Sequence, residues 1–317
     1  MRFGRLLFFL VIAISSSALS QEARVVSVSP DTAGLNGTIN VVVENLDAFL
    51  KPDSGKAPAV VPFLDGYPLK GSRLEYVDRK TGMLRFSLIR NPSDANSRES
   101  WNHVLGGIGP SVRHYALSVG KDGDAPLPSR DPSNPLTFNL IVFPRLWSVI
   151  AFVVLVVLLV TFIALAVKTD MLKDPPVPDH ARSYSLGRCQ MAWWFFIVIA
   201  SFTCIWLVTG DLVVPPSSLI LLGISSATAL SAVIVNPKPD KENASGFLTS
   251  LLEDGNGISF HRFQMFGWTL IIGIIFISKV VSELAQPTLD ATLLTLMGIS
   301  SGTYIGFKFP EKTSEAL

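Results

Sequence analysis

Long apolar runs dominate the second half of this chain, whereas short alternating runs dominate the first half. Five stretches after residue 146 hold enough consecutive apolar residues to cross a hydrocarbon core of about 30 Å as helices. We expect transmembrane helices at residues 147–167, 191–208, 218–235, 265–284 and 289–307. The pattern therefore predicts an α-helical, polytopic membrane domain of five helices.

Residues 21–145 carry short apolar or β-branched runs that are separated by turn residues. We expect β-strands at residues 25–29, 38–43, 84–89, 115–119 and 137–143. In the run at residues 83–90, apolar and polar residues alternate, which is typical of a strand with one buried and one exposed face. Several short strands at this spacing predict an antiparallel, all-β sandwich.

Two short segments at the start of this region carry a further signal, residues 26–30 (VSVSP) and residues 37–41 (GTINV). Together they resemble the first hairpin of IPT/TIG-type immunoglobulin-like domains, and the resemblance covers only the first strands. It implies an immunoglobulin-like fold that serves as a binding or spacer module and has no catalytic role.

The N-terminus has the three parts of a secretory signal peptide. Arg2 and Arg5 form the charged region, residues 6–14 the apolar core, and residues 18–20 (ALS) a small-residue cleavage site. The core is about half as long as a membrane-spanning helix, so we expect cleavage after residue 20, with an uncleaved anchor as the alternative. The domain that follows would then be exported.

Lys and Arg are distributed unequally over the loops between the helices. They occupy the loops on one side, whereas the turns at residues 209–217 and 285–288 contain none. This positive-inside pattern places the C-terminus in the cytoplasm. The expected organisation is signal peptide 1–20, extracytoplasmic β-sandwich 21–145, first transmembrane helix 146–168, cytoplasmic Pro-rich linker 169–187, membrane repeat 188–235, cytoplasmic loop 236–258, second membrane repeat 259–307 and cytoplasmic tail 308–317.

One sequence motif occurs twice in the membrane half, at residues 185–194 (SLGRCQMAWW) and residues 259–268 (SFHRFQMFGW), and we call it the repeated motif. The next helix in each copy contains a second shared segment, LGISSAT at residues 222–228 and MGISSGT at residues 297–303. Each copy holds two helices, so both copies would have the same orientation in the membrane. We therefore expect two parallel two-helix repeats that arose by duplication.

The polar and aromatic residues of the repeated motif allow two interpretations. They can anchor a helix start at the membrane interface, or they can form a basic pocket for a lipid headgroup or phosphate. We favour anchoring, because such residue types commonly begin helices there, and we regard the two glutamines as candidates to bond each other. The membrane-interface residues are Arg188, Gln190, Trp194, Arg262, Gln264 and Trp268.

The second shared segment and the residues that follow it place small residues four positions apart, which lets two helices approach closely. We expect the third and fifth helices to pack against each other or against neighbouring subunits through Gly223, Ala227, Ser231, Gly298, Gly302 and Gly306. Hydroxyl groups near this stripe bond between helices or, alternatively, line a polar path through an oligomer. These residues are Ser225, Ser226, Thr228, Ser300, Ser301 and Thr303.

Composition narrows the class of function. A net charge of +1 indicates neither a nucleic acid nor an acidic substrate as partner. Cys189 and Cys204 would lie about 22 Å apart along one helix, too far to form a disulfide. The sequence contains no nucleophile–base, metal-ligand or cofactor motif, so we expect no catalytic site, no metal and no cofactor.

The pattern favours a non-enzymatic, oligomeric scaffold or binding protein in a cell membrane. We expect a bacterial inner membrane, because the chain has an export signal and its exported region lacks cysteine. The expected partners are the lipid bilayer, further copies of the chain and a protein or cell-wall component outside the membrane. The alternative function is an ion channel lined by the hydroxyl-rich third and fifth helices.

Overall fold

The computed structural model describes most of the two predicted regions. It covers residues 22–51, 59–174, 184–212, 214–234, 246–254 and 257–308. The predicted signal peptide, about half of the Pro-rich linker, much of the loop 236–258 and nearly all of the C-terminal tail lie outside the described residues.

Two β-sheets form the N-terminal region. The first sheet is antiparallel and has the order β1 (Arg24–Ser29), β3 (Thr38–Glu44), β7 (Met83–Ser87), β6 (Arg73–Asp78). The second has the order β2 (Thr32–Gly34), β9 (Thr137–Ile141), β8 (Val112–Lys121), β4 (Val60–Leu64), β5 (Tyr67–Pro68). Its strands are antiparallel except for β2, which pairs parallel to β9. Each of the five predicted strands is confirmed, with ends shifted by a few residues.

Both sheets and a helix contribute to one hydrophobic core. In β3, residues Ile39 and Val41 are buried, and each lies opposite a buried residue of β7. The short helix α1 (Leu46–Phe49) follows β3, and α2 (Ala95–Leu105) lies between β7 and β8. The side chain of Trp101 in α2 is fully buried, and its indole Nε1 donates to the carbonyl of Ile89 at 3.1 Å.

The C-terminal region is helical. Its long helices are α3 (Arg145–Lys168), α4 (Leu186–Thr209), α5 (Pro216–Ile234), α7 (Phe260–Glu283) and α8 (Ala291–Lys308). Helices α3, α4 and α7, with 24 residues each, are long and apolar enough to cross a membrane. Helices α5 and α8 are shorter apolar helices. The structure thus confirms three of the five predicted membrane-length helices.

Four of these helices form a bundle in which each contacts two others, in the cyclic order α4, α5, α8, α7. Trp194, Ile272, Phe276 and Met297 lie in its apolar core. Helix α3 contacts α4 and is otherwise almost wholly exposed. The short helix α6 (Phe247–Leu252) and the two-residue strands β10 (Glu253–Asp254) and β11 (Gly257–Ile258) precede α7, and α6 packs against it. We call the end of the bundle that meets the β-sheets proximal, and the opposite end distal.

Candidate functional site

The proximal end of the bundle is joined to the β-sheet region by a shared core. Val208, in the last turn of α4, and Leu284, directly after α7, belong to the same buried cluster as the strand residues. The backbone N–H of Gly107 also donates to the carbonyl of Val281 in α7 at 2.9 Å. Apolar surface buried across the junction resists separation of the two regions.

A buried ion pair reinforces this junction. The Arg90 side chain is 2% exposed, and its Nη1 donates to Oδ2 of Asp211, after α4, at 2.5 Å. Its Nη2 donates to Oδ1 of Asn102 at 3.3 Å. Burial lowers the pKa of the Arg90 guanidinium, and the Asp211 carboxylate partly offsets that effect. Since a buried charge without its partner is strongly destabilising, this pair ties the β-sheet region to the α4–α5 turn.

A second arginine fixes the loop that contacts α7. Nη1 of Arg113 donates to the carbonyls of Val104 and Gly106 at 2.8 and 2.7 Å, and Nη2 donates to the carbonyl of Gly107 at 3.0 Å. The guanidinium therefore satisfies carbonyls at the end of α2 and in the following loop. Ile108, at the tip of this loop, is 97% exposed.

The two copies of the repeated motif, in the distal halves of α4 and α7, lie in different environments. Gln190 and Trp194 are buried in α4, and Arg188 is half-buried. In α7 the burial is reversed: Arg262 is buried, whereas Gln264 and Trp268 are half-buried. The buried face of α7 runs through Arg262, Met265, Thr269 and Ile272. When the two copies of the repeated motif are aligned, each of these positions is one residue later than a buried position of α4. One residue corresponds to about 100° of helix rotation, so the two copies present different side chains to the bundle.

This rotation corrects the expected bond between the two glutamines. Nε2 of Gln190 donates instead to Oγ1 of Thr269 at 3.0 Å, and that hydroxyl donates to the carbonyl of Met265 at 2.8 Å. Oε1 of Gln190 is buried and has no hydrogen-bond partner among the described residues. An unsatisfied buried acceptor costs on the order of 1–3 kcal/mol, so this oxygen is a strong site for a donor.

The buried Arg262 also lacks partners for part of its guanidinium. Its Cζ lies 6.0 Å from the ring centroid of Tyr304, a cation–π contact between α7 and α8. Its Nε and Nη1 atoms are buried and have no hydrogen-bond partner among the described residues. Arg188 differs, because its Nη1 donates to the carbonyl of Met171 at 3.0 Å near the surface.

The hydroxyl-bearing residues of α5 and α8 do not share one surface. Ser225, Thr228, Ser300 and Ser301 are buried, whereas Ser226 is exposed and Thr303 is half-buried. Several bond to their own helix: Ser225 donates to Leu222 at 3.0 Å, Thr228 to Ile224 at 2.7 Å and Thr303 to Ile299 at 2.9 Å. The buried hydroxyls therefore lie inside the bundle of a single chain.

The stripe of small residues faces away from the bundle. Gly223, Ala227, Gly302 and Gly306 are exposed, and Ser231 and Gly298 are half-buried. A Cβ atom added at any of the four glycines would meet no atom within 4 Å. The expectation that this stripe joins α5 to α8 is therefore wrong within one chain. Those two helices instead bury another face, which includes Ser225 and Ser300. Each of these serines lies two positions, or about 200° of helix rotation, from the nearest residues of the stripe.

The sequence missed the residues that build the junction. The junction brings together Arg90 after β7, Asn102 in α2 and Asp211 after α4. No local pattern in the sequence indicates that these residues meet. Within the ranges that the structure describes, no three His, Cys, Asp or Glu side chains are grouped so that they could hold a metal ion.

Comparison with known proteins gives no relative to set beside this geometry. No protein-family model, no curated protein and no solved structure matches the chain.

Proposed function

We propose that this chain is a non-enzymatic membrane scaffold or binding protein that presents an extracytoplasmic immunoglobulin-like domain in a fixed orientation and assembles with further copies. The junction carries the proposal. A domain whose core includes Val208 and Leu284 from the ends of the helices, and which is tied to the helices by Arg90 and Asp211, cannot swing freely on a linker. A protein or cell-wall component bound to the β-sheets would therefore have a defined position relative to the membrane.

The sheet topology supports the immunoglobulin-like assignment. In constant-type immunoglobulin domains, one sheet has the strand order A, B, E, D and the other contains C, F and G. The order β1, β3, β7, β6 corresponds to the first sheet, and β9, β8, β4 corresponds to the second. The short strands β2 and β5 extend the second sheet at its two edges. In such domains, the sheet faces and end loops bind partners.

We also propose that all five long helices cross the membrane. Helix α5 has 19 residues and α8 has 18, which correspond to about 27–29 Å of helix and approach the hydrocarbon thickness of about 30 Å. The exposed Ile108 lies beside the end of α7, where a membrane surface would cover it. The basic loops then lie in the cytoplasm with the C-terminus, and the β-sheets lie outside a bacterial inner membrane.

Assembly through α5 and α8 is supported by their outward faces. A Cβ atom added at any of the four glycines there would meet no atom within 4 Å, so a neighbouring helix could approach closely. Gly302→Leu would place a bulky side chain on this face without disturbing the bundle. We expect this variant to shift the protein from oligomer to monomer in nanodiscs, as measured by mass photometry.

The matched control is Gly267→Leu, on α7, where an added Cβ also meets no atom within 4 Å. We expect this control to keep the oligomer, and both variants to keep the β-sheet signal in circular dichroism. An unchanged particle mass for Gly302→Leu would contradict assembly through this face.

The ion channel stays the alternative function. The buried hydroxyls of Ser300 and Ser301, which have no hydrogen-bond partner among the described residues, favour a path inside one bundle over a path around an oligomer axis. Ion flux into liposomes that contain the purified protein would support this alternative, and tight liposomes would count against it.

A further inference from the structure

We infer that a cavity between α4, α6 and α7, near the distal end of the bundle, binds an uncharged hydrocarbon chain that carries a hydroxyl group. The cavity has a volume of about 240 Å³. Its apolar lining includes Leu186, Cys189, Phe247 and Phe266, and its polar lining is provided by Gln190 and Thr269. No charged side chain of the described residues lines it.

The hydrogen-bond chain at the cavity wall leaves a single acceptor open. The hydroxyl of Thr269 donates to the Met265 carbonyl, so its oxygen is free to accept from the amide of Gln190. This order fixes the orientation of the amide, with Nε2 toward Thr269 and Oε1 left over. Gln190 is only 3% exposed, so bulk water does not reach this oxygen. Because Oε1 is buried, a ligand hydroxyl would reach it through a small movement of the Gln190 side chain toward the cavity, and it would gain most by donating one hydrogen bond there.

The chemistry of the lining selects the class of ligand. A carboxylate or a phosphate would bring a charge into a cavity that offers no cation to pair with it, which is costly. A plain hydrocarbon would fill the apolar space but leave Oε1 unsatisfied. A hydroxyl at the end of an apolar chain satisfies both requirements, and its proton points to Oε1 of Gln190.

The size and position of the cavity indicate how such a chain enters. About 240 Å³ lies between the roughly 150 Å³ of a benzene-sized apolar cavity and the roughly 300 Å³ at which drug-sized pockets begin. The cavity therefore accepts the hydroxyl-bearing end of a chain, and the rest of the chain extends outward. Trp193, Phe247 and Leu270 line the cavity and are also exposed on the surface of the chain, so the opening faces the surroundings of the bundle.

The test is photolabelling of the full-length protein in nanodiscs. The probes are a twelve-carbon alcohol with a diazirine in its chain and the matched twelve-carbon alkane with the same diazirine. We expect the alcohol to label the cavity segments, identified by mass spectrometry, roughly tenfold more than the alkane does, which corresponds to about one hydrogen bond. Gln190→Leu should reduce labelling by the alcohol to that by the alkane. Gln264→Leu, at the equivalent position of the other repeat and outside the cavity, should change nothing.

Two results would overturn the inference. Equal labelling by both probes in the native protein would show that Oε1 is satisfied by water or by another part of the chain. Undiminished labelling in Leu270→Trp, a variant that narrows the opening at an exposed position, would show that the probes bind elsewhere. The second variant decides the outcome even where Gln190→Leu disturbs the bundle.

Discussion

At the scale of single residues, the junction depends on one charge pair whose members are buried to different degrees. Arg90 is almost completely buried, whereas 23% of the Asp211 side chain is exposed. The chain also contains an ordinary surface pair, Arg79 with Asp47, in which both side chains are about two-thirds exposed at 66% and 68%. The two pairs share the same chemistry and differ in solvation, so they separate the effect of burial from the effect of charge.

Asp211→Asn should therefore destabilise the protein more than Asp47→Asn. The asparagine keeps an acceptor oxygen but carries no negative charge, so the buried guanidinium of Arg90 loses its counter-charge, and we expect a loss of about 2 kcal/mol in the free energy of unfolding. Asp47→Asn should cost about 0–1 kcal/mol, because exposed pairs are screened by solvent. Thermal unfolding in nanodiscs measures both variants, and equal shifts in Tm would contradict the role of the junction pair.

At the scale of elements, the bundle combines one close helix contact with one open helix face. A Cβ atom at Gly187 in α4 would lie 3.3 Å from the carbonyl oxygen of Thr228 and 3.4 Å from Cα of Ala229. These are backbone atoms of α5, so they can move only if the helices separate. Gly223, on the same α5 helix, has no atom within 4 Å of its added Cβ. The glycines of this region thus serve two different surfaces.

Gly187→Val should destabilise the bundle by about 1–3 kcal/mol, because its methyl groups overpack the contact between α4 and α5. Gly223→Val should leave the stability of a single chain nearly unchanged. Thermal unfolding of both variants in detergent, at a concentration where the protein is monomeric, measures the difference. A Gly223→Val variant that is as unstable as Gly187→Val would mean that α5 packs through its small-residue face after all.

At the scale of the whole molecule, the β-sheet core includes one residue at the end of α4 and one directly after α7, whereas the interior of the bundle forms a separate apolar core. Val208 is 4% exposed and packs in the β-sheet core although it belongs to α4. Stability should therefore pass across the junction in both directions. The proposed scaffold would then transmit a load from an external partner to the membrane without a flexible joint.

Val208→Ala should weaken the β-sheet region, with an expected loss of about 2 kcal/mol from the removed methyl groups and the cavity they leave. Hydrogen exchange of the amides in β3 and β7 measures this effect, and their protection should fall. Val214→Ala, at an exposed position near the start of α5, is the control and should leave protection unchanged. Unchanged exchange in Val208→Ala would show that the two regions unfold independently.

The periodicity of the sequence was sufficient for five strands and the long helices, but it did not indicate the strands β2, β4, β5 and β6 or the helix α2. Its buried residues, Ser97, Trp101, Val104 and Leu105, do follow helical spacing. Its first turn is polar, and Asp94 caps it by accepting from the N–H of Asn96, which is a local signal for a helix start. This helix contains only three large apolar residues and lies in a turn-rich part of the sequence, so its helical periodicity is difficult to recognise.

The sequence by itself determined the two-part architecture and the positions of the long helices and of five strands, since apolar length and periodicity act locally along the chain. Tertiary structure decided which face of each helix is used. The same sequence motif begins α4 and α7, but α7 is rotated about its axis by the equivalent of about one residue. Gln190 therefore donates to Thr269, and Gln264 does not take part in that hydrogen bond. It also decided the junction, where Arg90 and Asp211 meet from 121 residues apart. Such contacts depend on how whole elements pack, and no local pattern of residues encodes that packing.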